Sequence, residues 1–287
     1  MPRTNGVLRD KREIISMQQE RSQQRACADM TADDPQPKPG ILFLVAVPIG
    51  NVDDLTVRAI RILREADLIA SEDPGKTRQL LSHHGIDATL TSYGPTNIKE
   101  KADILLDRLH RGAQIALVSD CGSPVIADPG ALLVTLAHAH GIQVISIPGP
   151  SALTAAVALA GLPCERFVFL GQLPETRAGI RRCLSTHSIG TIDAVAFCNG
   201  TSLELALDIV ADVAPQCTIV LACDLTKPNE RIMHGTVFQI RRDLKNLPTP
   251  EDITLILTGK RKRIEWTGRN KSATPAQSLS SRRISTR

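Results

Sequence analysis

The sequence predicts an α/β fold, with a mainly parallel sheet in the amino-terminal half and a mixed sheet after it. Three observations predict this. The runs Ile41 to Val47, Gln114 to Val118 and Gln143 to Ile147 are continuously apolar rather than alternating, as strands buried on both faces are. Each ends in a glycine-bearing turn: Pro48-Ile49-Gly50-Asn51, Ser119-Asp120-Cys121-Gly122-Ser123-Pro124 and Pro148-Gly149-Pro150-Ser151-Ala152. Helical spacing alternates with strands between them, which is the rhythm of βαβ units.

Taken in order, Thr56 to Ala66 has helical spacing at Val57, Ile60, Ile62 and Leu63, with Asp54 expected as its cap. Asp67 to Ala70 reads as a strand, and Thr77 to His84 as a helix stopped by Gly85. A short strand at Thr89 to Ser92 precedes an amphipathic helix from Asn97 to Arg111, ended by Gly112. Gly130 to His140 is the next helix, stopped by Gly141, and Ser151 to Ala160 follows the third turn with Ser151 as N-cap. Gly161-Leu162-Pro163 breaks the chain. Strands follow at Phe167 to Leu170, Ala194 to Cys198, Thr218 to Cys223 and Ile253 to Thr258, with hairpin-like steps within Thr226 to Val237.

These elements give four segments. Residues 1–40, ending in a proline-rich stretch, read as a flexible leader with room for a short helix within Arg9 to Arg25. Residues 41–160 and 161–259 read as two domains, and residues 260–287 as a basic, core-poor, disordered tail. That tail carries nine Lys or Arg against one acid, while residues 41–259 carry 18 basic and 23 acidic side chains. The folded part is therefore mildly acidic. The tail suits RNA phosphates, and equally suits a solvated end.

No run approaches the roughly 18 apolar residues of a membrane-spanning helix. The amino terminus lacks the apolar segment of a secretory signal. Seven scattered cysteines without C-x-x-C spacing suit a reducing, cytoplasmic setting. His138-Ala139-His140 lacks the i, i+4 spacing of helical ligands, and His83-His84 suits dipole compensation, so no metal is expected. Neither G-x-x-x-x-G-K-[ST] nor G-x-G-x-x-G occurs, which argues against an NTPase or a dinucleotide enzyme.

In an open α/β sheet ligands sit beyond the carboxyl ends of the strands, where glycine lets backbone approach a ligand closely. The three turns are thus expected to line one pocket. Pro148-Gly149-Pro150-Ser151 opens a helix and suits a carboxylate, and Asp120 suits a ribose hydroxyl or a cation. S-adenosylmethionine carries a carboxylate, a ribose and a sulfonium.

The ordered set Leu42 to Asn51, Asp67 to Asp73, Ala116 to Gly130 and Ile147 to Ala152 resembles the ribosomal RNA small subunit methyltransferases I, a branch of the tetrapyrrole methylases. Further marks are Gly161-Leu162-Pro163, Phe169 to Pro174 and Asp224-Leu225-Thr226-Lys227, and the likeness runs from about Ile41 to Gly259. It implies two α/β domains with S-adenosylmethionine in the cleft between them, in a cytoplasmic homodimer without a membrane segment. It implies 2′-O-methylation of a cytidine in small-subunit ribosomal RNA, the partner being that RNA or the small ribosomal subunit. Pro48, Gly50, Asn51, Ser119, Asp120, Gly122, Ser123, Pro124, Pro148, Gly149, Ser151 and Ala152 are the cofactor-binding candidates.

The acceptor side departs from the family. Glu72-Asp73-Pro74-Gly75-Lys76-Thr77 stands where the family has E-D-T-R-x-T, and Ser92-Tyr93-Gly94-Pro95-Thr96-Asn97 lacks two expected His. Phe197 to Leu203 lacks a Glu, a His and an Arg, and Cys223 replaces an Arg before Asp224. Asp73, Lys76 and Lys227 are the acceptor-side candidates, with no catalytic base named. Two alternatives stay open: another RNA or a small molecule as acceptor, or a cofactor-binding paralogue without turnover.

Overall fold

The computed structural model describes residues 38–161, 166–186 and 192–258. The leader up to residue 37, Leu162-Pro163 and the basic tail lie outside the described residues. The chain divides into two compact units, one holding the described residues up to Leu159 together with Cys223–Arg231, the other Ala160–Ala222 and Ile232 onward.

In the first unit β1 (Ile41–Val45) is followed by a 3-10 turn at Val52–Asp54 and by α1 (Val57–Glu65). Then come β2 (Leu68–Ser71), α2 (Pro74–His83), β3 (Leu90–Ser92), α3 (Ile98–His110), β4 (Ile115–Val118), α4 (Ala131–Ala139), β5 (Gln143–Ile147) and α5 (Ala152–Leu159). The sheet order is β3-β2-β4-β1-β5, and each pair is parallel. Consecutive residues of β4 serve opposite faces: Ile115 and Leu117 join Leu42, Leu105 and Leu133 on one side, and Ala116 and Val118 join Phe43, Leu63 and Leu81 on the other. Both faces are covered over β2 and β4, which are buried at every position, whereas β5, at the sheet edge, leaves Gln143 and Ser146 exposed, against the expectation of a run buried on both faces.

Helix ends follow local chemistry. Gly85, Gly112 and Gly141 sit at positive φ just past their helices, as the sequence predicts. Two starts differ. Thr56, not Asp54, caps α1, its hydroxyl accepting the Ala59 N–H at 3.1 Å, because Asp54 is used within the 3-10 turn. Helix α2 begins three residues before the expected Thr77, with Pro74 at its first turn and Asp73 as N-cap. Proline is pre-shaped for that position. The leader's last residue is also fixed: buried Gly40 donates its N–H to the Leu109 carbonyl at 2.7 Å.

In the second unit the elements are β6 (Phe167–Gln172), α6 (Arg177–Thr186), β7 (Asp193–Asn199), α7 (Gly200–Val213), β8 (Thr218–Cys223), β9 (Arg231–Gly235), α8 (Val237–Leu244) and β10 (Asp252–Thr258). The order is β6-β7-β10-β8-β9, with β6 parallel and β10 antiparallel to β7, a mixed sheet as expected. Where the family motif carries charged groups, Asn199 caps α7 by accepting the Ser202 N–H at 2.9 Å.

Candidate active site

The first two turns are joined by backbone. Val47 donates its N–H to the Gly122 carbonyl at 2.9 Å and Gly122 returns one to Val47 at 3.1 Å, an isolated antiparallel bridge beyond the parallel strands. The third turn closes on the same place, since Ala46 donates its N–H to the Ile147 carbonyl at 3.1 Å. Buried Gly122 has φ of 75°, a region open to glycine and strained for other residues. A Cβ placed there would lie 3.4 Å from Cγ2 of Ile49 and 3.8 Å from the Pro150 carbonyl oxygen. One residue of the second turn thus stands between residues of the first and third. Beside them lies a hollow of about 270 Å³ lined by Leu44, Ala46, Ser123, Pro124, Ile126, Ser146 and Ile147.

Ser119 steadies the second turn from within, its hydroxyl donating to the carbonyls of Cys121 and Gly122 at 3.1 and 3.2 Å. Pro148 and Gly149 are exposed, and Ser151 takes the N-cap position of α5, its carbonyl accepting the Ala155 N–H at 3.0 Å. In the first turn Pro48 is half-buried while Gly50 and Asn51 are exposed, and the Asn51 side chain accepts the Asp53 N–H at 3.1 Å. The expected pocket residues therefore gather along the carboxyl ends of β1, β4 and β5.

Asp120 is held on both oxygens. Its Oδ1 accepts the Asp73 N–H at 3.0 Å, and its Oδ2 accepts from the Lys76 ammonium at 2.6 Å. The hydrogen bond and charge of Asp120 push the Lys76 pKa up. The Asp73 carboxylate is committed elsewhere: Oδ1 accepts the N–H groups of Gly75 and Lys76 at 2.8 and 3.2 Å, capping α2. Glu72 and Asp128 form a second acidic group. Burial, then the nearby Asp128 and Asp120 charges, raise the Glu72 pKa. Burial raises that of Asp128 too, against the pull of the Gly130 and Val125 N–H groups that its carboxylate accepts.

A segment that sequence reasoning placed in the second domain completes the first unit. Within Cys223–Arg231, Lys227 brings its ammonium 3.6 Å from buried Asp224, and Thr226 Oγ1 accepts the Asn51 N–H at 3.0 Å. A Cβ at Gly50 would lie 2.7 Å from the Leu225 carbonyl oxygen and 2.8 Å from Lys227 Cγ. Lys227 is thus brought to the first turn, while Lys76 and Asp73 stand at the second. Thr226, Glu72 and Asp128 went unnamed among the sequence candidates. For Thr226 the signal was its place inside the Asp224 to Lys227 mark; for the two acids there was none beyond their place in matched segments.

A doubly covered parallel sheet, a second mixed sheet and converging glycine turns at the strand ends make up the two α/β units that the resemblance implies. The sequence model of the tetrapyrrole (corrin/porphyrin) methylases matches residues 42–241, and the chain belongs to that family. Within it, the chain belongs to the branch of ribosomal RNA small subunit methyltransferases I. The protein of that name from Xylella fastidiosa is 40% identical over 210 residues, spanning 72% of this chain and 77% of its own. The one from Escherichia coli is 42% identical over 206 residues, or 71% of each chain. Among solved structures, diphthine synthase superposes with a TM-score of 0.60 at 17% identity, over 78% of this chain and 92% of its own, and shows the shared fold.

Proposed function

We propose that this chain transfers the methyl group of S-adenosylmethionine to the 2′-hydroxyl of a cytidine in small-subunit ribosomal RNA. The convergence of the three turns on Gly122 carries the reading, and the branch to which the chain belongs supplies the acceptor. The cradle fits the cofactor chemically. The third turn and the N-terminus of α5 offer backbone donors for its carboxylate. Asp120, already neutralised in part by Lys76, offers its remaining lone pairs to ribose hydroxyls. Gly50, Gly122 and Gly149 let the turns pack closely on one another and on the Asp224 to Lys227 segment.

The cofactor supplies an electrophilic methyl group. The chain's contribution is orientation, since in-line displacement depends on holding the two reactants at attack distance. Lys76 and Lys227 are the cations near these turns and are assigned to the acceptor phosphates. Asp73 is assigned to the helix cap rather than to the acceptor. The homodimer implied by the family resemblance is part of the proposal; among the described residues β5 lies at a sheet edge with β1 as its one strand neighbour, a backbone edge that could serve self-association. Among the described residues no helix is long and apolar enough to cross a membrane, and the proposed ribosomal substrate supports a cytoplasmic location.

A second reading, an RNA acceptor other than the small-subunit site, is favoured by Asp73-Pro74-Gly75 forming a helix start where the family motif has an Arg. Incubation of the protein with small ribosomal subunits and labelled S-adenosylmethionine tests both. Label mapping to a 2′-O-methylcytidine supports the first, and label appearing only in other RNA supports the second. Cofactor binding with no transfer contradicts both and marks a paralogue without turnover.

A further inference from the structure

Thr226 has an unusual backbone for its side chain. Its φ is 64°, in the left-handed region that β-branched residues avoid. Asp224 two residues earlier is also left-handed, at 50°. Surrounding bonds hold the segment there. The Thr226 N–H donates to Glu230 Oε2 at 2.7 Å, the Lys227 N–H to the Asp224 carbonyl at 3.0 Å, and Asn229 Nδ2 to Asp224 Oδ2 at 2.7 Å.

Glycine would adopt this backbone without strain. What threonine adds is its hydroxyl, and that oxygen accepts the Asn51 N–H at 3.0 Å. It also lies 2.8 Å from the place a Cβ would take at Gly50. Strained residues that their surroundings hold in place cluster where a fixed geometry is needed. We propose that Thr226 is a positioning residue for the first turn, its hydroxyl setting the Gly50-Asn51 backbone in the form that meets the cofactor. This rests on the reading of that turn as part of an S-adenosylmethionine site.

Three variants separate hydroxyl from backbone. Thr226→Gly keeps the left-handed conformation and removes the oxygen, Thr226→Val keeps the branch and removes the oxygen, and Thr226→Ser keeps the oxygen. Amide hydrogen exchange at Asn51, read by NMR on the free protein, is expected to speed up roughly tenfold in the Gly and Val variants and stay within twofold in Ser. Calorimetric titration is expected to show the S-adenosylmethionine Kd weakened roughly fivefold to tenfold in the same two. The thermal midpoint of Thr226→Gly is expected at or above that of the wild type. Equal Asn51 exchange in all four proteins overturns the proposal, as does an affinity that follows thermal stability rather than the hydroxyl. If the wild type gives no heat with S-adenosylmethionine, the cofactor reading of the turn fails, and Asn51 exchange alone still decides whether Thr226 holds that turn.

Discussion

The Lys76 ammonium sits 2.6 Å from Oδ2 of Asp120, which ties the first turn of α2 to the turn after β4. Lys76 is 65% exposed, so the pair adds little to stability: removing it as Lys76→Met should change the unfolding free energy by less than about 1 kcal/mol. Its effect on charge is larger. With Asp120 uncompensated, preference for S-adenosylmethionine over S-adenosylhomocysteine, which lacks the sulfonium charge, should rise several-fold, measured as the ratio of the two Kd values. An unchanged ratio would leave Asp120 to the ribose alone.

Asp73 is assigned to capping, and two substitutions check that. Asp73→Asn retains an acceptor for the Gly75 and Lys76 N–H groups and should keep both stability and methyl transfer within a few-fold. Asp73→Ala should cost ~1 kcal/mol in urea denaturation, the usual loss for a missing N-cap. A large loss of turnover in the Asn variant at unchanged stability would return Asp73 to the acceptor side.

Glu72 gives a pH signature. Its pKa is raised by burial and by the facing carboxylates of Asp128 and Asp120, with Lys76 opposing. A carboxyl raised on folding binds more protons when folded, so its contribution is present below the unfolded value and is lost as pH rises through the folded one. Glu72→Gln should therefore be more stable than the wild type near neutral pH, with the advantage shrinking as pH falls through the raised folded value and gone below the ordinary carboxyl value of about 4. Urea midpoints at both ends check this, and an advantage independent of pH would contradict it.

Gly50 is required by space. Gly50→Ala puts a methyl against the Leu225 carbonyl oxygen at 2.7 Å, a backbone atom that cannot swing aside. The cost should be about 1–3 kcal/mol, with weaker cofactor binding as the Asp224 to Lys227 segment shifts. Unchanged stability and affinity would show that this segment does not rest on the turn.

What was legible in the sequence follows from which forces are local. Strand β4 is buried at every position, so Ile115 to Val118 reads as a strand without help from its neighbours. Gly85, Gly112 and Gly141 announce helix ends because a left-handed residue is needed there. Helix α2 starts at Pro74 rather than at Thr77, since a proline at the first helical position and one in a loop look alike in sequence. Helices α6 and α7 of the second unit were not anticipated. They are joined by ion pairs of Arg177 with Asp208 and of Arg181 with Asp212, residues about thirty apart in sequence that no local pattern connects. The seating of Thr226 on Asn51 was illegible for the same reason.

Hydrogen–deuterium exchange with and without S-adenosylmethionine, resolved by mass spectrometry, tests most directly whether the bends after β1, β4 and β5 serve one ligand. Slower exchange should appear together in peptides covering 47–51, 119–124 and 148–152, with a single dependence on cofactor concentration. Protection confined to one of these stretches, or absent from all of them while the cofactor is bound, would contradict the account.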